Sequence, residues 1–164
     1  MTKRVGVGDA APGFVLESQD GKEFDIEEVI GRREVVLYFY PKDNTPGCTT
    51  EARAFRDNYE LIKDLGAEVV GISSDSVDSH RDFASRCDIP FMILSDSGGK
   101  VRKLYGVPSS LGLIPGRVTY IIDKNGTVRH VSSSQLNPTR HVERAIEVLR
   151  EIRDTDGEVS SAEA

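Results

Sequence analysis

The run Pro41-Lys-Asp-Asn-Thr45-Pro-Gly-Cys48-Thr-Thr-Glu51 holds the residues best suited to chemistry in this 164-residue chain. Cys48 falls near the start of a predicted helix, just beyond a strand-like run. The first turn of a helix offers unpaired N–H groups and about half a positive charge. A thiolate there gains stabilisation that a neutral thiol does not, so the position suits a nucleophile. Pro46 fits the first helical turn, and Gly47 lets an incoming group approach the backbone closely. Thr45 brings a hydroxyl that both donates and accepts, while Pro41 ends the strand and restricts the loop. Taken alone, a cysteine near a helix start is also what a small buried hydrophobe looks like.

The elements that must position this loop are legible from periodicity. Glu34 to Tyr40 (EVVLYFY) is a continuous apolar run, as expected of a buried central strand. Residues 49 to 65 follow with Ala52, Phe55, Tyr59 and Ile62 on one helical face, and Gly66 stops them. Glu68 to Ser73 reads as a second buried strand. Ser76 caps a helix whose inner face carries His80, Phe83, Ala84 and Cys87. His80 reads as a structural partner on that helix, and Ser73-Ser-Asp-Ser76 as helix capping. Phe91 to Leu94 is a short strand, followed after Gly98-Gly99 by a one- to two-turn helix ending near Tyr105.

Val118–Asp123 and Thr127–Ser132 flank Lys124-Asn-Gly126, an antiparallel hairpin signal. Asn137-Pro138 opens a last helix with Val142, Ala145, Ile146, Leu149 and Ile152 facing inward. Near the start, Phe14–Leu16 and Phe24 flank Asp20-Gly21 as a small hairpin, and Asp25 with Glu28 suggests a capping box. Parallel strands first and an antiparallel hairpin last imply an α/β fold, a central mixed β-sheet flanked by helices, compatible with the thioredoxin-like class. Residues 1–152 form a single domain in this reading, and 153–164 a flexible acidic tail.

Composition removes several functions. Lys plus Arg number 21 against 27 Asp plus Glu, a net charge of -6, which repels phosphate backbones and argues against nucleic acid as a partner. No stretch approaches the roughly 20 apolar residues of a membrane span. His80, His130 and His141 show no metal-ligand spacing. Two cysteines are too few for a secreted disulfide scaffold, and no apolar signal-peptide run follows Met1, so the expected address is cytoplasmic. No Cys-x-x-Cys exists, which disfavours a thiol–disulfide oxidoreductase.

The spacing Pro41-x-x-x-Thr45-x-x-Cys48 resembles the active-site signature of the peroxiredoxins. The longer string from Phe39 to Ala52 is similar to the subgroup called bacterioferritin comigratory protein, or PrxQ. The likeness runs from Gly8-Asp-x-Ala-Pro12 through the last helix. It implies a thioredoxin-like fold and a thiol peroxidase that needs no metal, haem or flavin. Cys48 would be the peroxidatic cysteine, oxidised to a sulfenic acid as it reduces hydrogen peroxide or an organic hydroperoxide. Thr45 would orient the peroxide, Pro41 would shield the sulfur, and Arg117, in Gly116-Arg-Val-Thr-Tyr-Ile-Ile-Asp123, would favour the thiolate. Glu51 would order the arginine or the first helical turn.

Many relatives carry a resolving cysteine five residues after the first, where this chain has Arg53. Cys87 is the other cysteine. The resemblance implies a Cys48–Cys87 disulfide recycled by thioredoxin or a similar thiol reductant. Two alternatives stay open: a one-cysteine enzyme with Cys87 in the core and an external thiol, or a redox-sensing or chaperone-like module switched through Cys48. The family implies a monomer or a weak homodimer.

Overall fold

The computed structural model of the protein describes residues 4–110, 114–134 and 137–163. Strands β1 (Val15–Ser18) and β2 (Glu23–Asp25) form the leading hairpin. A 3-10 turn (Ile26–Glu28) follows, capped by Asp25, whose carboxylate accepts from the Glu27 amide. Next come β3 (Glu34–Phe39), α1 (Pro46–Asp57), α2 (Tyr59–Asp64), β4 (Ala67–Ser73), α3 (Val77–Cys87), β5 (Met92–Ser95) and α4 (Lys100–Tyr105). The two-residue strands β6 (Ser109–Ser110) and β7 (Ile114–Pro115) pair with each other; β8 (Val118–Ile122), β9 (Val128–Ser133) and α5 (Pro138–Glu163) complete the chain.

Seven strands make one mixed sheet in the order β2-β1-β5-β4-β3-β8-β9. β3, β4 and β5 run parallel, and β8 and β9 are antiparallel additions at one side, as the hairpin signal predicts. Every residue of β3 is buried, because helices or loops cover both faces. Its side chains alternate: Val36, Tyr38 and Tyr40 join the core beneath α1, α3 and α5, while Val35, Leu37 and Phe39 join the one shared with Phe14, Val101 and Tyr105.

Two expectations are corrected. The single helix expected over 49–65 is two helices that meet at Asn58. That residue leaves helical geometry at φ -106°, ψ 6°, and its side-chain amide donates to the Ala54 carbonyl at 2.8 Å. The last helix does not stop at Ile152 but continues to Glu163, through a segment with no proline to end it. Among the described residues no helix is long and apolar enough to cross a membrane.

Candidate active site

The register of β3 against β8 assembles the site. Phe39 lies opposite Val118, so the end of β3 and the start of β8 emerge at the same edge of the sheet. The loop 40–45 leaves one strand there and Arg117 precedes the other. Ligands of open α/β sheets gather at this kind of edge, beyond the carboxyl ends of the parallel strands.

Helix α1 starts at Pro46 with Thr45 in the N-cap position, so Cys48 stands in its first turn. The sulfur is almost enclosed, with Cys48 2% exposed. Arg117 Nη2 donates to Cys48 Sγ at 3.4 Å, and Nη1 of the same guanidinium donates to Glu51 Oε1 at 2.7 Å. A cation at this distance favours the charged sulfur, and the planar fork fixes where that charge sits. Two glycines are needed for this packing, Gly47 beside the arginine itself and Gly116 where the segment before it lies against Pro108. A β-carbon on Gly47 would lie 3.0 Å from Arg117 Nη2, and one on Gly116 would lie 2.3 Å from the Pro108 carbonyl oxygen.

Glu51 is fully buried. Burial pushes its carboxyl up to about 8, against the opposing pull of Arg117. Its second oxygen lies 4.0 Å from His141 Nδ1. His141 is held below the ordinary histidine range, chiefly by burial and also by the Arg117 charge, against the pull of the Ser134 carbonyl. The neutral ring then fits its partners: Nε2–H donates to Ser134 O at 2.9 Å and Nδ1 accepts from the Thr119 hydroxyl at 2.8 Å. Thr45 Oγ1 donates to the Lys42 carbonyl at 2.9 Å, which closes the loop on itself and leaves the hydroxyl lone pairs free to accept. Pro41 is half-buried where the strand ends.

The structure therefore brings Cys48, Arg117 and Glu51 into one hydrogen-bonded unit, with Thr45 at the N-cap position of the same helix. Cys87 stands apart at the far end of α3, 2% exposed in the same apolar core as Cys48, and both thiols are free. Its carbonyl accepts from Arg56 Nη1 of α1 at 2.7 Å.

Sequence reasoning missed Arg102, whose buried guanidinium donates to Gly116 O at 3.1 Å and to Tyr40 O at 3.0 Å, tying together the two segments that carry the site. No local pattern marks it. The serine-rich turn 73–76 does more than cap α3. Ser76 Oγ does accept from the Ser79 amide, but Asp75 accepts from the Asp43 amide and the Ser73 hydroxyl instead.

Comparison with known proteins gives this arrangement its lineage. The AhpC/TSA family model matches residues 7–131. A putative chloroplastic peroxiredoxin Q of Oryza sativa subsp. indica is 48% identical over 150 residues, covering 91% of this chain and 69% of its own. The crystal structure of peroxidoxin BcpB from Mycobacterium tuberculosis superposes with a TM-score of 0.85 at 35% identity, over 91% of this chain and 99% of that one. A Xanthomonas campestris bacterioferritin comigratory protein, described for its alkyl peroxide reduction, gives 0.80 at 25% identity, over 88% and 99%. The cytoplasmic address expected from the sequence is corrected by these comparisons, since the curated plant relatives are chloroplastic proteins. Matched along most of its length in both sequence and fold, the chain belongs to the AhpC/TSA family, in its peroxiredoxin Q branch, and is a thiol-dependent peroxidase.

Proposed function

We propose that Cys48 is the peroxidatic cysteine and that residues 1–152 form the catalytic domain, with the acidic tail outside it. The observation that carries this is the Arg117 guanidinium shared between Cys48 Sγ and Glu51 Oε1. The Cys48 thiolate attacks the terminal oxygen of a hydroperoxide. The S–O bond forms as the O–O bond breaks, giving a sulfenic acid and an alkoxide or hydroxide that takes a proton from water. Thr45, whose proton is committed to Lys42 O, accepts from the peroxide hydroxyl and so orients it. Arg117 stabilises first the thiolate and then the charge on the departing oxygen. Pro41 shields the sulfur, and Glu51 holds the arginine.

Peroxiredoxins act on hydroperoxides with a thioredoxin-like reductant. In this chain the Cys87 thiol attacks the sulfenic sulfur, water leaves, and a Cys48–Cys87 disulfide forms for a thioredoxin-like dithiol to reduce. The second reading is a one-cysteine enzyme; it draws support from the burial of Cys87 within the core. The exposed large hydrophobics among the described residues, Val7, Val15, Leu61, Met92 and Leu104, fall on separate segments, which supports a monomer or weak homodimer. The decisive experiment is peroxide consumption with excess dithiol by the wild type and Cys48→Ser. Activity should fall to background in the variant; retained activity overturns the assignment.

A further inference from the structure

A second set of buried polar groups gathers on Asp43 of the same loop. Asp43 is buried between Pro41 and Thr45, and its carboxylate collects three side-chain donors. Tyr40 Oη donates to Oδ1 at 2.6 Å, Ser79 Oγ donates to Oδ2 at 2.9 Å, and His80 Nδ1 lies 2.6 Å from Oδ2. The opposite ring nitrogen of His80, Nε2, lies 2.9 Å from the Leu94 carbonyl oxygen. The ring therefore ties the Asp43 carboxyl group to the Leu94 carbonyl of β5. Burial and the Asp43 charge hold the Tyr40 phenol well above its ordinary range, so it stays a donor.

The Asp43 amide donates in turn to Asp75 Oδ2 at 2.9 Å. Asp43, Asp75 and His80 bring ligand-type atoms within 4.8 Å of one another, yet both Asp43 oxygens are already engaged by donors; the cluster is a clamp. Asn44, immediately after it, sits in the left-handed region at φ 63°, a conformation that has to be held by its surroundings.

We propose that His80, through Asp43, is a positioning residue for peroxide reduction: the pair fastens the 41–45 loop to α3 and holds closed the turn that must open before Cys48 can meet another thiol. This rests on the reading of Cys48 as the peroxidatic cysteine. His80 is at the start of α3 and Cys87 at its end, where Arg56 binds the Cys87 carbonyl. The two ties differ in consequence. Arg56 belongs to the last turn of α1, whereas Asp43 lies just before the first turn, which carries Cys48. Releasing the clamp therefore loosens the reacting end of α1 while leaving its other end anchored.

The test is His80→Asn, which offers a donor to one acceptor and not both. Two rates are measured on the full chain: second-order oxidation by hydrogen peroxide, and alkylation of Cys48 by iodoacetamide, read by peptide mass so that Cys87 is scored apart. Peroxide oxidation depends on the positioned loop and should fall about tenfold or more. Alkylation depends on access and should rise severalfold. Amide hydrogen exchange over residues 41–50 should quicken in parallel. Rates within twofold of wild type, or rates that move in the same direction, overturn the proposal. Should His80→Asn fail to fold, Ser79→Ala removes one Asp43 donor from a half-buried position and must show the same opposed pair of changes, or the proposal is overturned. A wild type whose peroxide consumption does not need Cys48 defeats the peroxidatic assignment instead, while alkylation and exchange still report on the clamp.

Discussion

Arg117 serves Cys48 and Glu51 with the two ends of one guanidinium, Nη2 at 3.4 Å from the sulfur and Nη1 at 2.7 Å from the carboxyl oxygen. The residues it joins are 69 and 66 positions away in the chain, and only the pairing of β3 with β8 brings them together. A fork anchored at one tine cannot drift at the other, so the arginine is aimed before any peroxide arrives.

Replacing the fork with a point charge should show what the aim is worth. Arg117→Lys keeps the positive charge but cannot hold Glu51 and face the sulfur together. Loss of one donor from a site that stabilises developing charge costs about 10²- to 10³-fold in rate. Stopped-flow oxidation of Arg117→Lys is expected to be about 10²-fold slower than wild type, and Arg117→Ala slower still. A lysine variant within threefold of wild type would show that charge alone suffices.

Glu51 makes a prediction about pH. Burial keeps its carboxyl protonated in the folded protein to about pH 8, whereas the unfolded chain loses that proton near 4.5. Between those values the unfolded state binds fewer protons, so the stability contributed by this group is intact below about pH 4.5 and is lost as pH rises toward 8. Glu51→Gln removes the titration. The Tm of the variant relative to wild type should therefore climb between pH 5 and pH 8. Kinetically, a Glu51 that ionises above about pH 8 takes a larger share of Arg117, and the wild-type peroxide rate should decline there. The glutamine variant should lack that decline; an identical alkaline limb in both proteins defeats the idea.

Gly47, in the first turn of α1, makes room for Arg117. Alanine is the better residue inside a helix, by roughly 0.5–1 kcal/mol. Its methyl group, however, would stand 3.0 Å from Arg117 Nη2, closer than most carbon contacts allow. Gly47→Ala should keep or raise the Tm while slowing peroxide reduction about tenfold. Equal rates would mean that Arg117 moves aside without consequence.

How much of this was legible in the chain depends on the distance over which the cause acts. The apolar run of β3 and the stripe Ala52, Phe55, Tyr59 and Ile62 are local patterns, and they located the strand and the helical region that frame Cys48. The interruption at Asn58 depends on one side chain reaching back to Ala54, which periodicity does not register. Arg117 was found through family likeness, since an arginine ahead of a strand has no distinguishing pattern. Asp43 was in plain view within the motif, but its meaning depends on His80, 37 residues away on the next helix. Arg102 bridges Tyr40 and Gly116 through backbone carbonyls, and carbonyls carry no sequence information.

The fate of oxidised Cys48 is the last prediction, and it turns on Cys87. Both thiols are free and buried in one core, with Cys48 at the start of α1 and Cys87 at the end of α3. A disulfide needs Cα atoms within about 7 Å and converging side chains, and the two-cysteine reading takes the first turn of α1 to unwind to supply them. One equivalent of hydrogen peroxide should lower the non-reducing intact mass of the wild type by two hydrogens, within a single chain. Cys87→Ser and Cys87→Ala should gain oxygen instead. The two variants also differ in a useful way: serine buries a hydroxyl where the thiol packs against apolar neighbours, at a cost of about 1–3 kcal/mol, whereas alanine mainly leaves a small void. If both variants lose the disulfide but only serine lowers the Tm sharply, the missing bond follows from the missing sulfur and not from a disturbed core. Oxygen gained by wild type and variants alike would instead make this a one-cysteine enzyme, with Cys87 part of the packing and an external thiol completing the cycle.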